Sequence, residues 1–318
     1  MKKFLMKSVL VLSVMTMGVF TADSAFAQST KKLKFIVITH ATSVPFFVPV
    51  RKGAEDAGKL VGADVVYTGP SGFDIQQQVE FMKSAIAQKV DGIACTLPDP
   101  TAFNDVVQEA MSKGIPVIAI NGDAPDSGRL AYIGQGNYDA GRSMGQQIIK
   151  LLPSGGDVLL TIHTAGASPL EARIKGIKDV LDAKGGFKYR VISTGTDLVK
   201  AESMIGAAFQ ANRNIKGMFG VEDITGIAIG HVIQRERLKG KVFGGGFDLV
   251  SDILDAIESG DMQFTIDQQP YLQGFQGVME LYLYNKYAIT PCDINTGIAP
   301  VTGSSVSSIK KLAAQGYR

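Results

Sequence analysis

The side chains that most often carry catalysis are sparse in this chain and poorly spaced for it. Its three histidines, His40, His163 and His231, and its two cysteines, Cys95 and Cys292, are scattered over 318 residues. None of the short separations that gather ligands around zinc is present. "GQGNYDAG" has Asp139 where a dinucleotide fingerprint needs its third glycine. There is no Gly-Lys-Ser/Thr phosphate loop, and "GPSGF" is not a nucleophile elbow. No enzyme, cofactor or metal is therefore expected. His40 stands apart from the other histidines because it directly follows the first apolar run. What the chain has instead is a series of short polar and aromatic segments, each placed just after an apolar run. They are His40 to Phe47, Thr68 to Phe73, Thr96 to Thr101, Asn121 to Asp126, His163 to Glu171, Ser193 to Leu198, Glu222 to Thr225, Phe247 to Ser251 and Asp267 to Pro270. They are rich in oxygen-bearing and aromatic side chains and mark the place of a candidate site. Helix capping accounts for part of the Asp, Asn, Ser and Thr at such places.

The apolar runs that precede these segments define the elements that position them. "KFIVIT" leads to a helical pattern from Phe46 to about Val61, "DVVYTG" to one from Asp74 to Lys89, and "DGIACTL" to one from Thr101 to Lys113, with "IPVIAIN" followed by a loop. The alternation restarts around Gly128 to Asn137, through "DVLLTIH", "YRVIS", "GMFGV", "KVFGGGF" and "QFTID". Strands that are apolar on both faces must be covered by helices on both sides, so the expectation is α/β with two doubly wound parallel sheets. In such sheets the loops at the carboxyl ends of the strands form the binding crevice, where helix N-termini converge. The segment "ITPCDINTGIAPVTGSSV" reads as a connection, and Ser307 to Gln315 as a last short helix.

Lys2 and Lys3, an apolar stretch from about Val9 to Phe20, and then "ADSAFAQST" form a secretory leader, with cleavage expected after Ala27. The apolar stretch falls short of the ~20 residues that span a bilayer, so an exported, soluble, periplasmic chain is expected. The remaining ~290 residues exceed one ordinary core and suggest two domains. With 32 basic and 30 acidic residues, the charge balance gives no reason to expect nucleic acid or an anionic surface as a partner. An oxidising compartment would permit a disulfide between Cys95 and Cys292, but the expectation is two buried free thiols.

Taken in order, "VPFFVPVRKGAEDAGKLVGADV", "AQKVDGIACTLPDPTAF", "GIPVIAINGDAP", "IGQGNYDAGRSMG", "GFDLVSDILDAIESG" and "TIDQQPYLQG" resemble the periplasmic sugar-binding proteins of ABC importers, in the branch of the ribose-, galactose- and autoinducer-binding proteins. The resemblance covers the whole chain after the leader. It implies two α/β lobes, a periplasmic-binding-protein type I arrangement, joined by three crossings that act as a hinge. The crossings would lie near Gln135, near Gln268 and around Ile294 to Thr296. One lobe would comprise Gln28 to Gly134 plus Gln269 to Asn295, and the other residues 135–268 plus 296–318. A monomer that delivers a sugar to a membrane permease is implied, with a ligand-presenting receptor for chemotaxis or a sensor kinase as the alternative. A LacI-type regulator shares the core, but here the leader occupies the place of its DNA-binding segment.

The resemblance also implies site residues. Phe46 and Phe47 stand where ribose-binding relatives pack phenylalanines on the sugar, and Asp248 and Gln268 where they hydrogen-bond its hydroxyls. Sugars carry hydroxyls on their edges and C–H groups on their faces, which explains the pairing of flat rings with polar side chains. The chain departs from the ribose pattern elsewhere. Asn121-Gly122, then Asp123, replace an Asp-Arg pair; Glu171 replaces an arginine, with Arg173 two residues on; Glu222, beside Asp223, replaces an asparagine; and Val44 replaces another. His40 completes the candidate set. These replacements remove cations and add acceptors, so a neutral monosaccharide or sugar alcohol is expected in place of ribose. A deoxy sugar, modified furanose or cationic amino sugar stays open, whereas a desolvated anion would lack a paired charge.

Overall fold

The structure, a computed structural model, describes residues 32–318. The leader and its cleavage after Ala27 lie outside them. Two six-stranded sheets organise the chain, with the same strand order in each. The first is built from β1 (Lys34–Ile38), β2 (Asp64–Thr68), β3 (Gly92–Cys95), β4 (Val117–Ile120), β5 (Ala131–Gly134) and β11 (Ile294–Asn295), ordered β2-β1-β3-β4-β5-β11. The second uses β6 (Gly156–Ile162), β7 (Phe187–Ser193), β8 (Ile215–Gly220), β9 (Phe243–Phe247), β10 (Phe264–Asp267) and β12 (Ala299–Thr302), ordered β7-β6-β8-β9-β10-β12. The strands are parallel except β12, which pairs antiparallel with β10. β3, β4 and β10 are buried at every position, because helices cover both faces of each sheet.

The first sheet is covered by α1 (Phe47–Val61), α2 (Ile75–Ala87), α3 (Asn104–Ser112) and α9 (Pro270–Tyr287). The second is covered by α4 (Asn137–Leu151), α5 (Ser168–Lys184), α6 (Leu198–Ala211), α7 (Asp223–Arg235) and α8 (Ser251–Ser259), with α10 (Val306–Ala313) packed on α8. Their starts follow local chemistry. Asp74 accepts from the Gln77 N–H at 2.9 Å and Asp197 from the Lys200 N–H at 2.8 Å, the usual satisfaction of first-turn donors. One helix pair in each half comes into backbone contact through glycines. A Cβ on Gly53 or Gly274 would collide with the facing backbone in α1 and α9, and one on Gly141 with the backbone of Arg173 in α5.

The chain crosses between the sheets three times: after β5 through Gln135, after β10 at Gln268 and Gln269, and between β11 and β12 through Thr296 to Ile298. These crossings lie side by side and bond to one another. Gln135 Nε2 donates to Gly297 O at 3.1 Å, Gln269 Nε2 to Thr296 O at 2.7 Å, and Thr296 Oγ1 to Gln268 O at 2.8 Å. Arg318 reaches the same region and pairs with the buried Asp267 carboxylate at 2.6 Å. The stretch expected to be a plain connection thus contains two short edge strands. With only two and four residues, and Pro300 in the second, they leave no alternating pattern to read.

Both cysteines are free, but only Cys95 is buried; Cys292 is exposed, which corrects the expectation of two buried thiols. "TPCD" lies beyond the C-terminal end of α9, outside either core. Burial pushes the Cys95 thiol up to about 12, and the thiolate is the reactive form. Iodoacetamide applied to the native chain should therefore alkylate Cys292 alone, with Cys95 modified only after denaturation. Equal rates at both thiols, read by mass spectrometry, would contradict this placement.

Candidate functional site

The carboxyl ends of both sheets face one cleft of ≈ 360 Å³. The position follows from the strand order, which reverses beside β1 in one sheet and β6 in the other and leaves an opening where the following loops diverge. From the first half, the loop after β1 brings His40, Val44, Phe46 and Phe47, the loop after β2 brings Phe73, and the turn after β4 brings Asn121. From the second half come Asn137, His163, Arg173, Glu222, Asp223 and Asp248, with Gln268 on a crossing.

The aromatic side of the cleft is also the edge of a core. Phe46 and Phe47 meet edge-to-face with centroids 5.0 Å apart, and both belong to the apolar cluster under β1 and α1. His40 stands edge-on to Phe47 at 4.9 Å and to Phe73 at 5.3 Å. Packing on the core side holds these rings in place, while their other surface faces the cleft. That limits the ordering cost when a ligand arrives.

The opposite side carries charge. Arg173 is buried; it donates from Nε to Asn137 Oδ1 at 2.9 Å and from Nη1 to Val221 O at 2.8 Å, and it lies over the Phe247 ring at 4.2 Å. The α4–α5 approach at Gly141 sets the backbone from which this side chain extends. Burial lowers its pKa, and the nearby Asp248 opposes that most strongly. Asp248 accepts from Gln268 Nε2 at 2.5 Å, and Gln268 Oε1 accepts from Asn121 Nδ2 at 3.3 Å, a chain of bonds running from one half to the other. Glu222 caps α7, accepting from the Thr225 N–H at 3.2 Å and from the Thr225 hydroxyl. Burial, reinforced by the charge of Asp223, raises the Glu222 carboxyl to about 8. Burial, with Asp223 again adding to it, raises Asp248 to about 7. Burial also raises Asp223. His163 lines the same side, and burial together with the Arg173 charge lowers its pKa to about 4.

Backbone strain gathers at the same place. Asn121, Asp248 and Gln269 have φ of 63°, 73° and 54°. Left-handed conformations cost non-glycine residues free energy, although Asn and Asp tolerate them best. At Asp248 the turn directs the carboxylate toward Gln268 and the cleft.

Eight of the residues expected from the sequence line this cleft: His40, Phe46, Phe47, Asn121, Arg173, Glu222, Asp248 and Gln268. Asp123 and Glu171 do not. Both Asp123 oxygens are taken by Arg129, at 2.5 and 2.7 Å, on the flank of the first sheet. Glu171 is exposed and turns back to accept from the Gly166 N–H at 2.9 Å, while Arg173, half a helical turn on, faces inward. Phe73, Asn137, His163 and Thr164 also line the cleft without having been expected as site residues. Phe73, His163 and Thr164 fall in segments that follow strands, which was the available signal; Asn137, one residue into α4, carries none. Among the described residues, no group of three or more His, Cys, Asp or Glu is arranged to hold a metal ion, and no helix is long and apolar enough to cross a membrane.

A family profile described as a periplasmic binding protein domain matches residues 35–286. The chain belongs to this family. A xylose/arabinose-binding protein from Sulfolobus acidocaldarius is 36% identical over 290 residues, covering 86% of this chain and 72% of the relative. The D-allose-binding periplasmic protein of Escherichia coli is 26% identical over 272 residues, covering 82% and 86%. The crystal structure of an ABC transporter solute-binding protein from Burkholderia graminis, in complex with D-arabinose, superposes with a TM-score of 0.83 at 32% identity and covers 87% of this chain and 97% of that one. Periplasmic binding proteins of this kind serve transporters and are not enzymes, so the cleft is a binding site without catalytic duty.

Proposed function

We propose that this chain is the periplasmic solute receptor of a sugar ABC importer, capturing a neutral monosaccharide or sugar alcohol between its two halves. The observation that carries this reading is the make-up of the cleft, with aromatic rings on one half facing buried oxygen acceptors on the other. A polyol meets both demands, because its C–H face lies on the rings and its hydroxyls donate to Asp248, Asp223 and Glu222. One cation, Arg173, already engaged by Asn137 and Val221, is a poor host for an anionic ligand.

The lobes run from Gln28 to Gly134 plus Gln269 to Asn295, and over residues 135–268 plus 296–318. The three bonded crossings are the hinge between them. Ligand binding favours closure to the extent that the ligand contacts both lobes, and Phe46 and Phe47 on one side with Glu222 and Asp248 on the other supply such contacts. The mature chain starts at Gln28, acts as a monomer and hands the closed form to a membrane permease. Its ligand affinity is micromolar or tighter, about −8 kcal/mol or better.

A thermal-shift screen of the refolded, ligand-stripped mature chain tests this reading. Pentoses, hexoses, deoxy sugars, sugar alcohols, amino sugars and sugar acids are compared. A rise in melting temperature with a neutral sugar or polyol is expected, because a ligand that binds only the folded state stabilises it. Stabilisation by sugar acids alone, or by no member of the panel, would overturn the reading.

A further inference from the structure

Behind the aromatic side of the cleft lies a buried polar cluster with no counterpart in the acceptor side described above. Gln78, on the inner face of α2, is fully buried, as is Thr96 at the end of β3. Gln78 Nε2 donates to the Thr96 carbonyl oxygen at 2.6 Å and to the Thr96 hydroxyl at 2.9 Å. The orientation of the amide is settled by the first contact, because an amide oxygen at that distance would face another carbonyl oxygen. The Thr96 hydroxyl also lies 3.0 Å from His40 Nδ1. The hydroxyl accepts from Gln78, and directing its own hydrogen to His40 would give each of the two groups a partner. Nδ1 is then the acceptor, and the ring hydrogen sits on Nε2. Burial, with a smaller contribution from His163, lowers the His40 pKa to about 4, so the ring is neutral at neutral pH.

His40 lines the cleft while Nδ1 is turned to Thr96. This leaves Nε2 as the nitrogen that a ligand can reach. We propose that Gln78 and Thr96 are positioning residues that fix His40 as a neutral Nε2–H donor, through which the first half recognises a ligand oxygen that accepts but cannot donate, as the ring oxygen of a cyclic sugar does. The acids of the other half can only accept once ionised, so a neutral Nε2–H on the first half adds a donor that they do not supply. The ligand part of this proposal rests on the carbohydrate reading; the tautomer part does not.

Two measurements test it. The first is the long-range proton–nitrogen NMR spectrum of the 15N-labelled, ligand-free mature chain, with His40 assigned by its loss in His40→Gln. The Nε2–H pattern is expected in the parent chain, and a mixture of tautomers in Thr96→Val and in Gln78→Met, two variants of nearly conserved volume. An Nδ1–H pattern in the parent, or an unchanged pattern in both variants, would overturn the positioning role. The second measurement compares D-arabinose with its ring-sulfur analogue, because sulfur is a weak acceptor. The parent should prefer the ring-oxygen sugar by about tenfold, the worth of one well-made hydrogen bond, and Thr96→Val should reduce that preference to about twofold. Equal binding of the two sugars by the parent would overturn the ring-oxygen assignment. If neither sugar binds, the ring-oxygen assignment falls for this pair, the thermal-shift panel alone decides the carbohydrate reading, and the ligand-free spectrum still decides the tautomer.

Discussion

Replacing Asp248 by Asn should weaken ligand binding by about 100-fold while the fold stays intact. Charge-assisted hydrogen bonds contribute roughly 1.5–3 kcal/mol, which corresponds to roughly 10- to 150-fold in affinity. In the protein, one Asp248 oxygen accepts from Gln268 at 2.5 Å, which leaves the other for a ligand hydroxyl. An asparagine must keep its oxygen toward Gln268, so it presents an NH₂ where the ligand needs an acceptor. Asparagine is the informative replacement because it tolerates the left-handed backbone at φ 73°. Alanine should abolish binding as well, but it adds strain there. Isothermal titration with the sugar that emerges from the thermal screen, together with circular dichroism of the variant, checks both halves of the expectation. Unchanged affinity in a folded variant would remove Asp248 from the site.

The second large effect is on stability and has a definite sign. In the unfolded chain Asp and Glu ionise near pH 4, whereas in the folded chain burial moves Asp248 to about 7 and Glu222 to about 8. Between those limits these two carboxyls hold more protons in the native state than in the unfolded state, so their contribution to stability falls as pH rises. Below pH 6.5, His40 and His163, lowered by burial to about 4, hold fewer protons in the folded chain and oppose this, so the ligand-free protein is expected to melt at progressively lower temperature from about pH 6.5 to pH 8. Glu222→Gln removes one of the two groups but keeps an oxygen to accept from the Thr225 N–H. It should leave the melting temperature near pH 4.5 unchanged and raise stability at pH 8.5 by up to about 5 kcal/mol. A saturating neutral sugar should flatten the profile of the parent, because its hydroxyls stabilise the ionised carboxylates. Chemical denaturation at several pH values decides this, and a parallel profile in parent and variant would contradict it.

The alternation of apolar and amphipathic segments was legible because burial on both faces of a sheet demands it over many residues. β11 and β12 were not, since they become strands only by adding to the edges of sheets formed elsewhere in the chain. The site shows the same division. Phe46, Phe47, Asp248 and Gln268 could be singled out because each follows a strand and stands at a position that the resemblance to ribose-binding proteins implies holds the sugar. Glu171 and Arg173 could not be ranked against each other by spacing alone. Both sit in the first turn and a half of α5, and which one turns inward depends on the rotation of that helix, set by its contact with α4 at Gly141 and Gly176. Asp123 looked equally suited to binding, but Arg129, six residues on, occupies it.

By itself, then, the sequence determined the element types, the doubled α/β plan and the set of strand-end segments that could contribute to a site. These depend on periodicity and turn chemistry, which are local. Only the tertiary structure decided which of those segments face each other, which carboxylates lose their water and which hydrogen a histidine keeps. Desolvation depends on everything packed around a group, and the atoms that hold His40 come from elements tens of residues away.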